Sequence, residues 1–283
     1  MAGKDVHDDY PLKDYKYHCC SDLLEGKVAF VSGGGSGIGF RIAELLMRHG
    51  CNVAIGSRRI DKLEQSAKDL SKATGRQCLP VQIDVRKYDT VLKAMKQTLN
   101  AFGSIDILIN SAAGNFLCPV SSMSSNAFKT VLEIDTMGTF NCCKAAFDTY
   151  MKDHGGCIIN ISATLYFKGD AYQAHAGSAK AAIDALTRHL AVEWGPLNIR
   201  INSVLPGPIE GTEGFRKLGG AVEGAEEFLE SSIPLGRCGT RTEIAEACLF
   251  LASPLSSYVN GSLLVVDGGA WLTSGFANFS SKL

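Results

Sequence analysis

No stretch of this sequence is long and apolar enough to cross a bilayer, so no spanning helix is expected. An excess of charge of either sign is also missing. The formal net charge is -1, and nothing in it calls for nucleic acid or an acidic membrane surface as a partner. The opening residues, Met1 to Tyr10, have neither the apolar core of a secretory signal nor the arginines of a transit peptide; they are polar and acidic. There are ten cysteines but no C-x-x-C pair, and the set includes the adjacent pairs Cys19-Cys20 and Cys142-Cys143. Most of the others lie in apolar segments, as reduced, buried thiols do. Neither a disulfide framework nor a metal site is expected. Internal repeats, low-complexity blocks and domain linkers are absent as well.

What is present is a chain of 283 residues, 46% of them hydrophobic, enough for one α/β domain with a large core. Apolar strand-like runs alternate with longer amphipathic stretches. Lys27–Ser32, Asn52–Ser57, residues 78–84, Ile105–Asn110, Cys157–Ser162, Ile199–Val204 and Ser262–Asp267 read as strands. Between them, Ile38–His49, 60–73, 87–102, segments within 124–153, 175–194 and 241–252 read as helices. Strictly alternating elements imply parallel strands joined by right-handed crossovers. The fold class expected is therefore α/β: a Rossmann-type, doubly wound, seven-stranded parallel sheet in three α/β/α layers. Its ligand site belongs at the carboxyl ends of the strands. The expected organisation is an N-terminal extension over 1–24, one nucleotide-binding domain over 25–272, and a loose tail over 273–283. Within the domain, 205–224 is rich in glycine and proline (Pro206, Gly207, Pro208, Gly211, Gly214, Gly219, Gly220) and reads as a lid.

The segment Ser32-Gly33-Gly34-Gly35-Ser36-Gly37-Ile38-Gly39 joins the first strand to the first helix. Glycines there let the backbone turn tightly and approach a pyrophosphate, and the helix N-terminus supplies amides and positive potential. The spacing is G-x-x-x-G-x-G, not G-x-G-x-x-G. Glycine-rich loops also serve as plain tight turns, but the strand before and the helix after select the nucleotide reading. Gly33, Gly35, Ser36, Gly37 and Ile38 are the expected contacts. The second strand runs into Arg58 and Arg59, where an acid would hold the 2′-hydroxyl of NAD. Arginine there matches the 2′-phosphate of NADP, so NADPH is the expected cofactor. Arg41 is a candidate second positive contact, and the plainer reading of Arg58 and Arg59 is a solvated pair. Asp84, ending the third strand, is placed to accept from the adenine amino group. The small residues Asn110-Ser-Ala-Ala-Gly114 end the fourth strand, where backbone meets cofactor.

Together with Lys180, Pro206-Gly207-Pro208-Ile209 and Asp267-Gly268-Gly269, these features resemble the short-chain dehydrogenase/reductase family over about residues 25–272. The resemblance implies a single domain with bound NAD(P), commonly a homodimer or homotetramer. It also implies cofactor contacts from Lys180, Pro206, Gly207 and Ile209. That family's usual catalytic set is Asn, Ser, Tyr and Lys, and only Lys180 is retained. The serine position holds Ala163, the tyrosine position Ala176 and the asparagine position Asp135. The ordinary carbonyl mechanism, in which tyrosine protonates an alkoxide, is therefore excluded.

Within the family, Gly33–Arg41, Asn110–Leu117, Ile134–Phe140 and His175–Lys180 resemble the branch that reduces 2,4-dienoyl-CoA thioesters. That likeness implies hydride delivery to C5 of the conjugated chain, a dienolate on the thioester oxygen, and protonation at Cα to give a trans-3-enoyl-CoA. Lys180 is expected to hold the nicotinamide ribose and to place positive charge near the oxyanion. A free aspartic acid titrates near ~3.9, so Asp135 is expected to hold, with Lys180, a water that delivers the proton. The plainer reading is a buried structural aspartate. Tyr166 is a rival acid from the loop after the fifth strand. His175 and Ser178 sit near Lys180, but Gly-Ser beside a helix start is equally a capping signal.

For the acyl-CoA, Phe116 is a candidate lining for the acyl chain, and Ser124, Ser125 and Asn126 open a helix suited to the thioester arm or a phosphate. Arg58, Arg86 and Lys217 are candidate partners of CoA phosphates, each equally readable as a solvated charge. The chain ends Ser281-Lys282-Leu283, a tripeptide that a peroxisomal import receptor reads as an address, so the peroxisome matrix is the expected compartment. Two other readings stay open. A different enoyl-CoA reductase would be expected to keep Tyr-x-x-x-Lys, which Ala176 argues against. An inactive NADPH-binding homologue would show just such losses, against which stand Lys180 and the acid at 135.

Overall fold

The computed structural model describes residues 9–216 and 230–273. Among them, seven parallel strands form one sheet in the order β3-β2-β1-β4-β5-β6-β7. They are β1 (Val28–Ser32), β2 (Asn52–Ser57), β3 (Cys78–Gln82), β4 (Ile107–Asn110), β5 (Gly156–Ile161), β6 (Ile199–Pro206) and β7 (Leu263–Val266). The principal helices are α1 (Gly37–Arg48), α2 (Ile60–Thr74), α3 (Tyr88–Phe102), α4 (Ser125–Leu132), α5 (Gly138–Ala146), α8 (Ala174–Trp194) and α10 (Arg241–Ala252). Shorter helical pieces include α6 (Lys152–His154), α7 (Leu165–Lys168) and α9 (Glu213–Phe215). The expected doubly wound α/β sheet is present.

Every residue of β1 and β4 is buried, as a strand covered on both faces requires. Side chains from α1, α2 and α10 build the core on one face, including Phe40, Leu46, Leu63 and Ile244. The opposite face is filled from α3, α5 and α8, including Met95, Cys142 and Trp194. Strand order reverses between β1 and β4, so their carboxyl ends diverge and leave a crevice. The fully enclosed cysteines, such as Cys51, Cys142 and Cys248, lie in the core as reduced thiols.

Three strand ends differ from the sequence expectation by two residues, each for a local reason, and several other ends by one. β3 stops at Gln82 because Thr90 Oγ1 takes the Asp84 amide at 3.1 Å and returns a bond to its carbonyl at 2.9 Å, drawing that residue off the ladder. β4 starts only at Ile107, since the Asp106 carboxylate instead accepts from the Val28 amide and Lys27. β6 runs on to Pro206, so the first residues of the expected lid are strand. Pairing with β5 ends at Val204, and Pro206 pairs with β7 alone, which suits a residue with no N–H to give.

Residues 9–24 are fastened to the domain rather than trailing from it. Glu44, wholly buried on α1, pairs with Arg41 and Arg48 and accepts the Leu12 amide at 2.7 Å; Arg48 also donates to the Leu12 carbonyl at 2.6 Å. Tyr15 lies 3.1 Å from His49 Nε2, and His49 Nδ1 lies 2.8 Å from the Cys20 carbonyl. A carbonyl only accepts, so Nδ1 carries the proton and Nε2 receives the Tyr15 hydroxyl. Glu44 thus holds together two arginines and the strap. Glu44→Ala removes the buried carboxylate shared by Arg41, Arg48 and the Leu12 amide, and is expected to cost roughly 3–5 kcal/mol, read as a lowered urea midpoint with unchanged m.

Candidate active site

The glycine loop leaves β1 into the crevice. Gly33 and Gly37 have φ of +72° and +58°, which only glycine adopts without strain. At Gly39 a Cβ would stand 2.5 Å from the Gly33 carbonyl oxygen, so the chain there has no room for a side chain. Ser32 Oγ accepts from the Ser111 and Ala112 amides at 3.2 and 3.4 Å, tying the loop after β4 to the loop after β1. The first turn of α1 carries no acid of its own, yet the Gly37 amide donates to the Asp9 carboxylate at 2.7 Å, and Arg241 reaches the same oxygen at 3.1 Å. An anion is thus held where a phosphate is expected, which fits this helix terminus to a nucleotide. Gly35, Ser36 and Ile38 lie in the same turn.

Arg58 and Arg59 follow β2 and are both exposed, Arg59 standing immediately before α2. Arg41 does not join them: it is wholly buried and paired with Glu44 inside α1, so a 2′-phosphate contact from Arg41 is corrected. Asp84 and Arg86 pair with each other at 2.6 Å, and the guanidinium holds the Asp84 carboxyl below its ordinary range. Pro206 and Gly207 continue β6. The Gly207 amide bonds the Val266 carbonyl at 3.1 Å, and Ile209 bridges to Gly239 and is buried.

Asp135 lies in a π-helical turn, Glu133–Met137, between α4 and α5. The wider turn breaks the α-helical spacing and re-aims one residue, as such turns do at functional sites. Asp135 is 1% exposed, and its two oxygens are both engaged. Oδ1 accepts the Gly114 amide at 2.7 Å, and Oδ2 stands 3.2 Å from Lys180 Nζ. Lys180, 8% exposed on α8, also donates to the Ile161 carbonyl at 3.0 Å. The ammonium is therefore fixed between the end of β5 and the π turn. Ala163 and Ala176, the latter buried, leave this pair without a neighbouring hydroxyl from either position.

α8 begins at Ala174, so His175 and Ser178 lie inside the helix and do not cap it. His175 is fully buried, its ring 4.4 Å from that of Phe116 at 51°. Neither ring nitrogen closes a well-formed hydrogen bond, and burial pushes its pKa down, partly offset by the Phe116 backbone and the Asp135 charge. Ser124 caps α4, its hydroxyl accepting the Ala127 amide at 3.1 Å, with Ser125 and Asn126 in the first turn. Tyr166 stands part-exposed on α7, and its hydroxyl neighbours Asp184. Lys217 and Ser281-Lys282-Leu283 lie outside the described residues. Among those described, no three His, Cys, Asp or Glu side chains gather as a metal site. Sequence reading passed over Asp9 and Asp184. The signal for Asp184 was available, since it stands one helical turn after Lys180 on the same face.

The fold, the glycine loop and the lysine on α8 define an oxidoreductase for a nicotinamide cofactor, and the chain belongs to the short-chain dehydrogenase/reductase family. Residues 33–270 match the family model described as Enoyl-(Acyl carrier protein) reductase. The chain is 62% identical over 272 residues, 96% of its own length and 90% of the relative's, to the peroxisomal 2,4-dienoyl-CoA reductase [(3E)-enoyl-CoA-producing] of Danio rerio. The Rattus norvegicus protein of the same name is 58% identical over 269 residues, covering 95% and 92% of the two chains. Among solved structures, a short chain dehydrogenase from Bacillus anthracis superposes with a TM-score of 0.80 at 38% identity, covering 89% of this chain and 99% of that one.

His175 and His49 both have lowered pKa values, chiefly from burial. An imidazole whose folded pKa lies below its unfolded ~6.5 favours folding fully above ~6.5 and loses that contribution as pH falls toward the folded value. Thermal denaturation is expected to show Tm falling as pH drops below ~6.5. His175→Leu should flatten part of that slope.

Proposed function

We propose that this chain reduces 2,4-dienoyl-CoA thioesters to (3E)-enoyl-CoA with NADPH, as an auxiliary step in peroxisomal β-oxidation of unsaturated fatty acids. One observation carries the reading: the pairing of Asp135 with Lys180 in a site where the tyrosine and serine positions are both alanine. A ketone reductase needs an acid beside the carbonyl oxygen. A dienoyl thioester does not, because its proton goes to carbon. The names of the relatives agree in substrate and compartment, and the terminal Ser281-Lys282-Leu283 fits the same address.

Held by the glycine loop and Lys180, NADPH would supply a hydride to C5 of the conjugated chain. Negative charge then collects on the thioester oxygen, and the fixed Lys180 ammonium stabilises it without having to reorganise. Asp135 keeps that ammonium in place and, through Gly114, sets the loop after β4 that carries Phe116. A water held by Asp135 and Lys180 gives a proton to Cα, breaking its O–H bond; the hydroxide left takes a proton from solvent, and the remaining double bond lies at C3. Gly33, Gly35, Ser36, Gly37, Ile38, Pro206, Gly207 and Ile209 would hold the cofactor, with Asp84 at the adenine. Phe116 and the Ser124–Asn126 helix start would take the acyl-CoA, and Arg86 or Arg58 its phosphates.

NADPH oxidation followed with 2,4-hexadienoyl-CoA and with a long-chain dienoyl-CoA tests the reading. Turnover with at least one is expected; none with either would sink it and favour an inactive homologue, and equal activity on a monounsaturated 2-enoyl-CoA would favour the other reductase class. Asp135→Ala should keep NADPH binding and lose about 10²–10⁴-fold in kcat. Asp135→Asn, which can still accept from Gly114, should lose nearly as much; near-normal kcat in either would end the role given to the carboxylate. Replacing both Arg58 and Arg59 with alanine should weaken NADPH, but not NADH, on the order of 10–100-fold in KM, as expected for losing a charged hydrogen bond to phosphate.

A further inference from the structure

The loop after β4 has no regular structure until the short helical turn Val120–Ser122, yet three alternate residues of it are fastened. The Gly114 amide is held by Asp135 at 2.7 Å. The Phe116 ring centroid lies 4.4 Å from that of His175, and the Cys118 amide donates to the Tyr172 carbonyl at 3.1 Å. Leu117, between the last two, is left 44% exposed. The loop therefore runs outward from the Lys180–Asp135 pair and ends against Tyr172, just before α8 begins. Tyr172 is the anomaly at that end. Its φ is +66°, in the left-handed region; among the described residues the one other non-glycine there is Asn198, a type that region tolerates. Tyr172 is the third residue of a turn closed by the Gln173 amide on the Asp170 carbonyl at 3.3 Å, and a positive φ at that place normally calls for glycine or asparagine. Glycine would carry the same backbone, and the same bond from Cys118, without the strain. Packing does not offset that strain, since Tyr172 is 55% exposed. What the ring contributes lies outside the fold itself.

We propose that Tyr172 is a specificity-determining residue whose ring, with Leu117, forms an apolar lip for the part of the acyl chain beyond the reacting carbons. The inference rests on the dienoyl-CoA reading. Reduction engages the substrate from the thioester to C5, beside the loop that Asp135 sets and that carries Phe116. An acyl chain continuing past Phe116 along the same loop comes next to Leu117 and the Cys118–Tyr172 bond. Extended backbone covers at most ~7 Å from residue 116 to residue 118, the length of several methylenes. A hexadienoyl chain has one carbon past C5 and ends short of the lip, whereas a decadienoyl chain has five and reaches it. The chemistry of the loop selects the occupant. Leu117-Cys118-Pro119-Val120 is apolar and carries no charge, which suits hydrocarbon and not the phosphates of CoA. Contact there removes apolar surface of the chain, of Leu117 and of Tyr172 from water, so affinity grows with chain length.

The test uses the intact enzyme with NADPH and either 2,4-hexadienoyl-CoA or 2,4-decadienoyl-CoA. Tyr172→Gly removes the ring and keeps the backbone bond from Cys118. The ratio of kcat/KM for the decadienoyl thioester to that for the hexadienoyl thioester should fall about tenfold, the factor for losing contact with roughly two methylenes. The fall should lie in KM and not in kcat, since the lip holds the chain away from the reacting atoms. Tyr172→Phe keeps the ring and should keep the ratio. Leu117→Ser should lower the ratio in the same direction, and it keeps the test open should Tyr172→Gly fold poorly. Thermal denaturation of Tyr172→Gly should give a Tm no lower than that of the wild type, because glycine takes the left-handed backbone freely. An unchanged ratio in both Tyr172→Gly and Leu117→Ser would overturn the lip, even if activity fell equally on the two substrates. A lowered Tm or an altered oligomeric state beside that unchanged ratio would assign the ring to packing or to a contact between copies. If the wild-type enzyme leaves NADPH unoxidised with both thioesters, the dienoyl-CoA reading fails and the lip with it.

Discussion

The ion pair between Lys180 and Asp135 is the constraint on which the rest of the site depends. The two groups approach within 3.2 Å, with side chains 10% and 1% exposed. Taking both from water costs more than their attraction returns unless further polar contacts complete the arrangement. Those contacts are present. The Ile161 carbonyl takes a second proton of the ammonium, and the Gly114 amide satisfies the other carboxylate oxygen. The pair therefore ties together the end of β5, the π turn, the loop after β4 and α8. Those segments also line the crevice where the strand order reverses. Energy spent on burying charge goes into positioning, and the position suits the dienolate oxygen of the reaction proposed.

On the reaction proposed, the alanines at 163 and 176 follow from where the proton goes. Serine and tyrosine in those places would set hydroxyls beside the substrate oxygen, the right arrangement for an alkoxide and a needless one for an enolate that is protonated at carbon. Replacing the usual asparagine with Asp135 supplies a charge that the side-chain amide lacks, and that charge anchors Lys180. Near the pair, the His175 and Phe116 rings pack against each other at 4.4 Å, offering ring surface where the family has hydroxyls. A site stripped of its ordinary acid has been re-equipped, not abandoned.

Much of this was legible in the sequence because it is local. A strand, a glycine loop and a helix in succession announce a nucleotide site, and the lysine's spacing from Ala176 locates the loss. The seven strands came from alternation of apolar runs, with errors only at ends set by side chains such as Thr90 and Asp106. Arg41 misled, since its position after the loop suits a phosphate equally well. Its partner Glu44 is nearby, but the Leu12 amide that makes the interior pairing sensible comes from a segment with no pattern to show where it lies. Asp84 and Arg86 were each given to a ligand, although their separation of two residues lets each engage the other. Asp184 was passed over because its spacing shows only that it shares a face with Lys180, not that the Ser162 and Ser203 hydroxyls surround it.

Lys180 has two acidic neighbours, and simple electrostatics assigns them different states. A single buried ammonium can neutralise a single buried carboxylate. Asp135 has the short contact, together with an amide donor on its other oxygen. Asp184 has neither, only hydroxyls around it and no bond of good geometry. Burial without a counter-charge pushes the Asp184 carboxyl up, and the nearby hydroxyls and Lys180 only partly oppose it. Asp135 is therefore the group that fixes the ammonium, and a side-chain amide in its place would leave Lys180 without a buried counter-charge.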